Sequence, residues 1–262
     1  MNDQIAISDD GEGEPDEYIE LLAALGRTYD DDARVATHEA GHILAARLLC
    51  QPLGGATINP DPNGKFGGLV WGPRHRAAFG SSDDAPLGSS ADAAPAICDK
   101  LRTLMPKDGE PRGDVADIYS HVLTRCTELA AGAVAERMLL EGEPVPSVSD
   151  VEQAVGLASL VCKSAEAVGH FLAFAERQAF DLLYPHGPVI IALSVVLKIR
   201  RTLTGQEIDD LIANTCAGFK LAAEHGRRAD WRARELAANS FQIECGHVNF
   251  ASLPQSAPDR VG

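Results

Sequence analysis

No C-x-x-C pair joins any of the six cysteines, and nothing in the chain resembles a basic nucleic-acid footprint. Each absence removes a class of function. Cys50, Cys98, Cys126, Cys162, Cys216 and Cys245 are widely scattered, which argues against a cysteine-rich zinc module or a disulfide framework and suits reduced thiols. The longest apolar run, residues 189–197, falls far below the roughly 20 residues needed to cross a bilayer, so no membrane segment is expected. The acidic N-terminus lacks the apolar stretch of a signal peptide, and a cytoplasmic protein is expected. Gly64-Lys65 is followed by Phe66 and lacks the upstream glycine of a phosphate loop, which excludes a nucleotide site there. With 38 acidic against 23 basic side chains, no nucleic-acid partner is expected.

What remains is an ordinary globular composition, 45% hydrophobic and 23% charged over 262 residues, enough for a sizeable buried core. Residues 1–32 hold eleven acidic side chains and one Arg, and so carry ten of the fifteen net negative charges. That run reads as a solvated acidic arm. A short helix is expected over residues 18–25, closed by Gly26, and a second over 33–50, with Asp30-Asp31-Asp32 supplying its N-cap and first turn. Gly41 inside the second helix costs about 1 kcal/mol relative to Ala, which suggests that another backbone packs closely there. The β signal is confined to residues 56–59 and 67–72, separated by a turn-rich 60–65.

Residues 73–95 read as a surface loop in which Arg74-His75-Arg76 forms a solvated patch, and a weak helix is expected over 96–105. A long helix over 114–141 follows, with Val115, Ile118, Val122, Leu129, Ala133, Val134 and Leu140 as its core positions. Ser149-Asp150-Val151-Glu152 is a capping-box pattern opening a helix to about 164. Helices are further expected over 167–183, 189–203 and 207–217, and the chain from 227 onward is polar and weakly patterned. The fold class is therefore mainly α, a single helical domain with a small β-hairpin or edge-strand element.

The chemistry concentrates in Thr37-His38-Glu39-Ala40-Gly41-His42-Ile43, an H-E-x-x-H motif on a helix. At 3.6 residues per turn, His38 and His42 project from one face, where two neutral imidazoles can share a zinc ion. Glu39 lies where it can take a proton from metal-bound water. Catalytic zinc usually takes a third protein ligand. The H-E-x-x-H-x-x-G-x-x-H extension fails, because Ala45 and Leu48 occupy its Gly and third His positions. Candidates are Glu128, Glu136, Asp150, His75 and His121. If Ser149 is the N-cap, Asp150 occupies the first helical position and its carboxylate is free to point away, although an Asp there is also favoured by the helix dipole alone.

The segment Arg34-Val35-Ala36-Thr37-His38-Glu39-Ala40-Gly41-His42 resembles the peptidase domain of the FtsH family of ATP-dependent zinc metalloproteases. Leu129-Ala130-Ala131-Gly132-Ala133-Val134-Ala135-Glu136-Arg137 is similar to that family's small-residue helix. Ser149-Asp150-Val151-Glu152-Gln153-Ala154 is similar to its S-D-x-x-x-A segment, and Leu203-Thr204-Gly205-Gln206-Glu207-Ile208 to its closing element. The resemblance implies that His38, His42 and Asp150 bind zinc, that Glu39 is the catalytic base, and that polypeptides are the substrate. It implies a peptidase domain over 33–217, with a divergent loop-rich stretch at 73–113 and a polar extension at 218–262. It also raises a homo-oligomer as an expectation. No ATPase module or Walker motif is present in this sequence, so any ATP dependence would need a separate ATPase partner. An extended peptide is expected to pair with the strand edge at Gly68, Leu69, Val70 and Trp71; core packing is the alternative for Trp71. The alternative function is a catalytically idle zinc domain that grips polypeptides as an adaptor.

Overall fold

Polar caps and small residues decide where the helices begin and how closely they lie. The computed structural model describes residues 17–61, 67–72, 115–145 and 147–251. The expected arm over 1–15, most of the 60–65 turn, the 73–95 loop with His75 and the 96–105 helix lie outside those residues. Helix α1 (Glu17–Leu25) ends at Gly26, whose φ of 66° suits glycine. Helix α2 (Tyr29–Leu48) starts four residues earlier than expected, because Thr28 caps it and no Asp does. The Thr28 hydroxyl accepts the Asp31 N–H at 3.1 Å, and the Asp31 carboxylate accepts the Thr28 N–H at 3.0 Å, a closed capping box.

Asp32 departs from the solvated reading of the acidic run. Its carboxylate is fully buried and accepts two hydrogen bonds from Arg201 at 2.6 and 2.9 Å, one from Arg27 at 3.0 Å and one from the Tyr18 hydroxyl at 2.9 Å. Burial opposes its charge, but Arg201, Tyr18 and Arg27 outweigh that and hold its pKa below the usual carboxylate range.

The remaining helices are α3 (Val115–Leu139), α4 (Val148–Val161), α5 (Ala165–Leu183), α6 (Gly187–Arg200) and α7 (Gly205–Ala251). On α3, Ile118, Val122, Leu129 and Val134 are buried as expected and Ala133 is half-buried; Leu140, also half-buried, lies just past its end, and the Val115 side chain lies outside the described set. Ile118, Val122, Cys126 and Leu129 meet Ala154, Leu157 and Ala158 of α4 and Phe171 and Ala175 of α5 in one apolar cluster. Helix α2 packs on α3 and α6 with Ala36, Ala40, Ile43, Leu44, Ala45 and Ala46 all buried. The close approach expected at Gly41 is real: a β-carbon there would lie 2.5 Å from the Ala131 carbonyl oxygen and 2.7 Å from the Ala135 β-carbon.

Three short strands, β1 (Gly55–Thr57), β2 (Leu69–Trp71) and β3 (Thr202–Thr204), form an antiparallel sheet in the order β2-β1-β3. Ala56 faces Val70 on one side and Leu203 on the other. Strand β3 was not expected, since residues 189–203 read as one helix. No Gly or Pro marks the stop; Arg201 itself turns to a φ of 64° and ends α6.

A first compact unit runs through Ile212 and a second begins at Ala213. The expected helix over 207–217 is in fact the start of α7, which continues to Ala251. Its later part is rich in Ala, has no Pro, and carries Glu224 paired with Arg227 and Arg228. The alanines and these i, i+3 and i, i+4 ion pairs favour the helix locally. Among the described residues one helical stretch, Ala165–Arg200, is long and apolar enough to cross a bilayer by length and composition alone. It comprises α5 and α6, joined by the turn Tyr184–His186, and it supplies the core residues Phe171, Ala175, Ala179, Leu183, Ile190, Leu193 and Leu197.

Replacing Gly41 by Ala tests the α2–α3 contact. Propensity alone would favour Ala by about 1 kcal/mol, but the overpacked β-carbon costs typically 1–3 kcal/mol. The variant is therefore expected to be less stable than wild type in urea unfolding. A variant of raised stability would contradict the contact.

Candidate metal centre

His38 and His42 leave α2 on the face turned toward α3 and α4. The His38 Nδ1 lies 2.7 Å from the Glu136 carboxylate, and the His42 Nδ1 lies 2.8 Å from the Glu128 carbonyl oxygen. A carbonyl can only accept, so His42 carries a proton on Nδ1, and its Nε2 lone pair is the one available to a metal. The Nε2 atoms of both rings face one oxygen, Asp150 Oδ2, at 3.0 Å from His38 and 3.3 Å from His42. The rings meet edge to face at 4.7 Å between centroids. Two imidazole nitrogens and a carboxylate oxygen thus lie within 4.8 Å of one another, a set that could hold a metal ion.

The chemistry of this donor set fits zinc. Both rings have their far nitrogens engaged, as metal-ligating histidines almost always do, and the third group is a hard anionic oxygen. The charges of the cluster act on one another. Burial would lower the pKa of His38, but the Asp150 and Glu136 carboxylates reverse this and raise it to about 10. Burial would likewise lower that of His42, and the Asp150 charge raises it. The two histidines, against burial, hold Asp150 well below the usual carboxylate range. Glu39 responds the other way: its burial pushes its pKa up, opposed by His42 and His38.

Asp150 arrives by a different cap from the one expected. Ser147 is the N-cap of α4, and its hydroxyl accepts the Asp150 N–H at 3.3 Å. Ser149 lies inside the helix, where its hydroxyl accepts from the Gln153 side chain at 3.1 Å. Two serines two residues apart offer the same signal to a reader of the sequence. Asp150 therefore occupies the third helical position, and its carboxylate turns to the histidines instead of closing a box. Of the other candidates, Glu136 reaches His38 from its far nitrogen, Glu128 offers His42 its backbone carbonyl, and His121 is exposed on α3.

Two glycines make the room: Gly68, expected on the peptide-pairing edge, and Gly132, not singled out as a site residue. A β-carbon on Gly132 would lie 2.5 Å from the His38 Nε2, and one on Gly68 would lie 2.5 Å from Glu39 Oε1. The signal for Gly132 was a glycine inside an alanine-rich helix. Arg34, one turn before His38 on α2, supports the arrangement: its Nη1 donates to Glu136 at 3.3 Å and its Nη2 to the Glu141 carbonyl at 2.8 Å.

A cavity of about 690 Å³ opens beside the cluster and is lined by His38, Glu39, His42 and Asp150 together with Gly68, Leu69 and Val70 of the sheet edge. Trp71 does not line it; its ring rests on Gly54 and Gly55. A second cavity of about 640 Å³ reaches His38 and Asp150 from the α3–α4–α5 side and is lined by Cys126, Leu129, Ala133 and Leu172.

No family model matches the chain. A relative, the ATP-dependent zinc metalloprotease FtsH 2 of Sorangium cellulosum (strain So ce56), is 28% identical over 202 residues, covering 69% of this chain. The match spans 31% of that protein's length. The similarity supports a distant relation to the FtsH family, in line with the resemblance of the motifs.

Two outcomes are expected. Removing the Glu136 carboxylate with Glu136→Ala should weaken zinc binding by about 10–100-fold, the usual cost of losing such an orienting partner, as read by competition with a chelating dye. Unchanged affinity would contradict its role. In the metal-free protein, His38 has a folded pKa above its ordinary 6.5, so its stabilising contribution is complete below that pH and is lost as pH rises through about 10. Coordination instead requires the deprotonated ring. The rise in Tm on adding stoichiometric zinc to chelator-treated protein should therefore be larger at pH 9 than at pH 6; a gain that shrinks with pH would contradict this.

Proposed function

We propose that this chain is a zinc-dependent metallopeptidase in which His38, His42 and Asp150 hold the ion and Glu39 is the general base. The observation that carries the reading is the convergence of both Nε2 atoms on Asp150 Oδ2 at 3.0 and 3.3 Å beside a buried glutamate. The relation to a protein named as a zinc metalloprotease supports it. Bound zinc lowers the pKa of a coordinated water to about 7 and polarises a carbonyl.

Glu39 takes a proton from the attacking water and later delivers it to the leaving amine. Its burial makes the carboxylate a stronger base than a solvated one. Its nearest cover, Gly68, has no side chain to block the approach. Strand β2 pairs with β1 on one side. Among the described residues no strand pairs with its other side, which on this reading offers an extended polypeptide backbone hydrogen bonds along Gly68, Leu69 and Val70, with little demand on sequence. Trp71 stiffens that edge by packing on Gly54 and Gly55. The apolar cavity beyond His38 and Asp150 suits an apolar side chain next to the scissile bond. Flexible or unfolded polypeptides are the substrates on this reading. ATP dependence would come from a separate ATPase partner, and self-association into a homo-oligomer is the expected assembly.

Glu39→Gln is the direct test. It should leave zinc bound in stoichiometric amount and lower turnover of a fluorescent casein by at least about 10²–10⁴-fold, the share general acid–base catalysis carries. A variant as active as wild type would contradict the mechanism. Zinc bound without turnover in the wild type would favour the idle, polypeptide-gripping alternative.

A further inference from the structure

The strand that forms one wall of the cavity is held by Arg27, which lines the same cavity. Strand β2 is three residues long and, among the described residues, pairs with β1 alone, a short attachment for a surface that must keep its place. Arg27, between α1 and α2, supplies a second attachment. Its Nη1 donates to Asp32 Oδ1 at 3.0 Å and to the Ile58 carbonyl at 2.6 Å, and its Nη2 donates to the Gly67 carbonyl. Ile58 directly follows β1, and Gly67 stands two residues before β2. One guanidinium therefore joins both ends of the connection between the strands and ties them to the first turn of α2. The planar fork has donors for all three acceptors at once, which a lysine ammonium reproduces only in part.

Arg27 is itself fixed. Asp32 is fully buried, and the pair of hydrogen bonds from Arg201 leaves its carboxylate no freedom to follow a moving Arg27. The carbonyl that Arg27 holds is one residue from Gly68, whose backbone lies against Glu39.

We propose that Arg27 is a positioning residue for substrate: it sets the start of β2, and with it the edge on which an extended polypeptide pairs. This rests on the peptidase reading above. The test uses the full chain loaded with zinc, a quenched fluorescent peptide and amide hydrogen exchange. Arg27→Gln should raise KM about tenfold, the scale of one lost charge-assisted hydrogen bond. Its kcat should stay within about threefold of wild type, since the loss lies in binding more than in chemistry. Bound zinc should be unchanged. Amides of residues 69–71 should exchange faster while those of β3 keep their protection, and Arg27→Lys should recover part of the lost KM. A fall in kcat at unchanged KM, equal loss of protection in β2 and β3, or a lysine variant no better than glutamine would overturn the proposal. A wild type that cleaves no peptide would overturn the peptidase reading instead, and hydrogen exchange alone would then decide the role of Arg27.

Discussion

The site depends on how closely α2 lies against α3. Gly41 lets the Ala131 carbonyl approach to a distance that any side chain would forbid, and Gly132 leaves the space that the His38 ring fills. At that separation Glu136 meets the far nitrogen of His38, and the Glu128 carbonyl meets that of His42. A wider crossing would leave both imidazoles without their orienting partners, and each ring would be free to turn. The small residues of α3 thus serve both core and candidate site: Ala131 and Ala135 are buried in the core, and Gly132 gives the His38 ring its space.

Two buried polar clusters hang from the same helix. Near its start Asp32 gathers Arg27, Arg201 and Tyr18; a turn and a half later His38 and His42 gather Asp150, Glu136 and the Glu128 carbonyl. Both clusters tolerate burial because their charges are paired and hydrogen-bonded, the condition under which desolvated charge is stable. They divide the labour of the site: the first ties the sheet edge to α2, and the second brings together donors able to hold an ion. Glu39 sits between these structures, buried by Gly68 and flanked by the histidines that could bind the ion.

Much of this was legible in the sequence, and the misses have physical causes. The i, i+4 spacing of His38 and His42 guarantees a shared face on any helix, so that pair needed no tertiary information. Gly41 was legible because its cost in a helix demands a reason, and a close backbone supplied it. The cap that singled out Asp150 was misassigned, since Ser147 and Ser149 carry the same local signal and only packing chooses between them. Glu136 read as a candidate ligand, but whether a carboxylate meets the near or far nitrogen of a ring depends on the helix crossing. Strand β3 was hidden because its stop signal is a strained Arg201 and not a glycine. The length of α7 was hidden because periodicity detects buried faces, and its later residues are exposed.

The ligand set is the claim on which the rest stands, and anomalous diffraction at the zinc edge from zinc-soaked crystals measures it directly. The account predicts one peak about 2.0–2.2 Å from His38 Nε2, His42 Nε2 and an Asp150 carboxylate oxygen. A peak ligated by Glu136 in place of Asp150, or no peak between the two histidines, would contradict it.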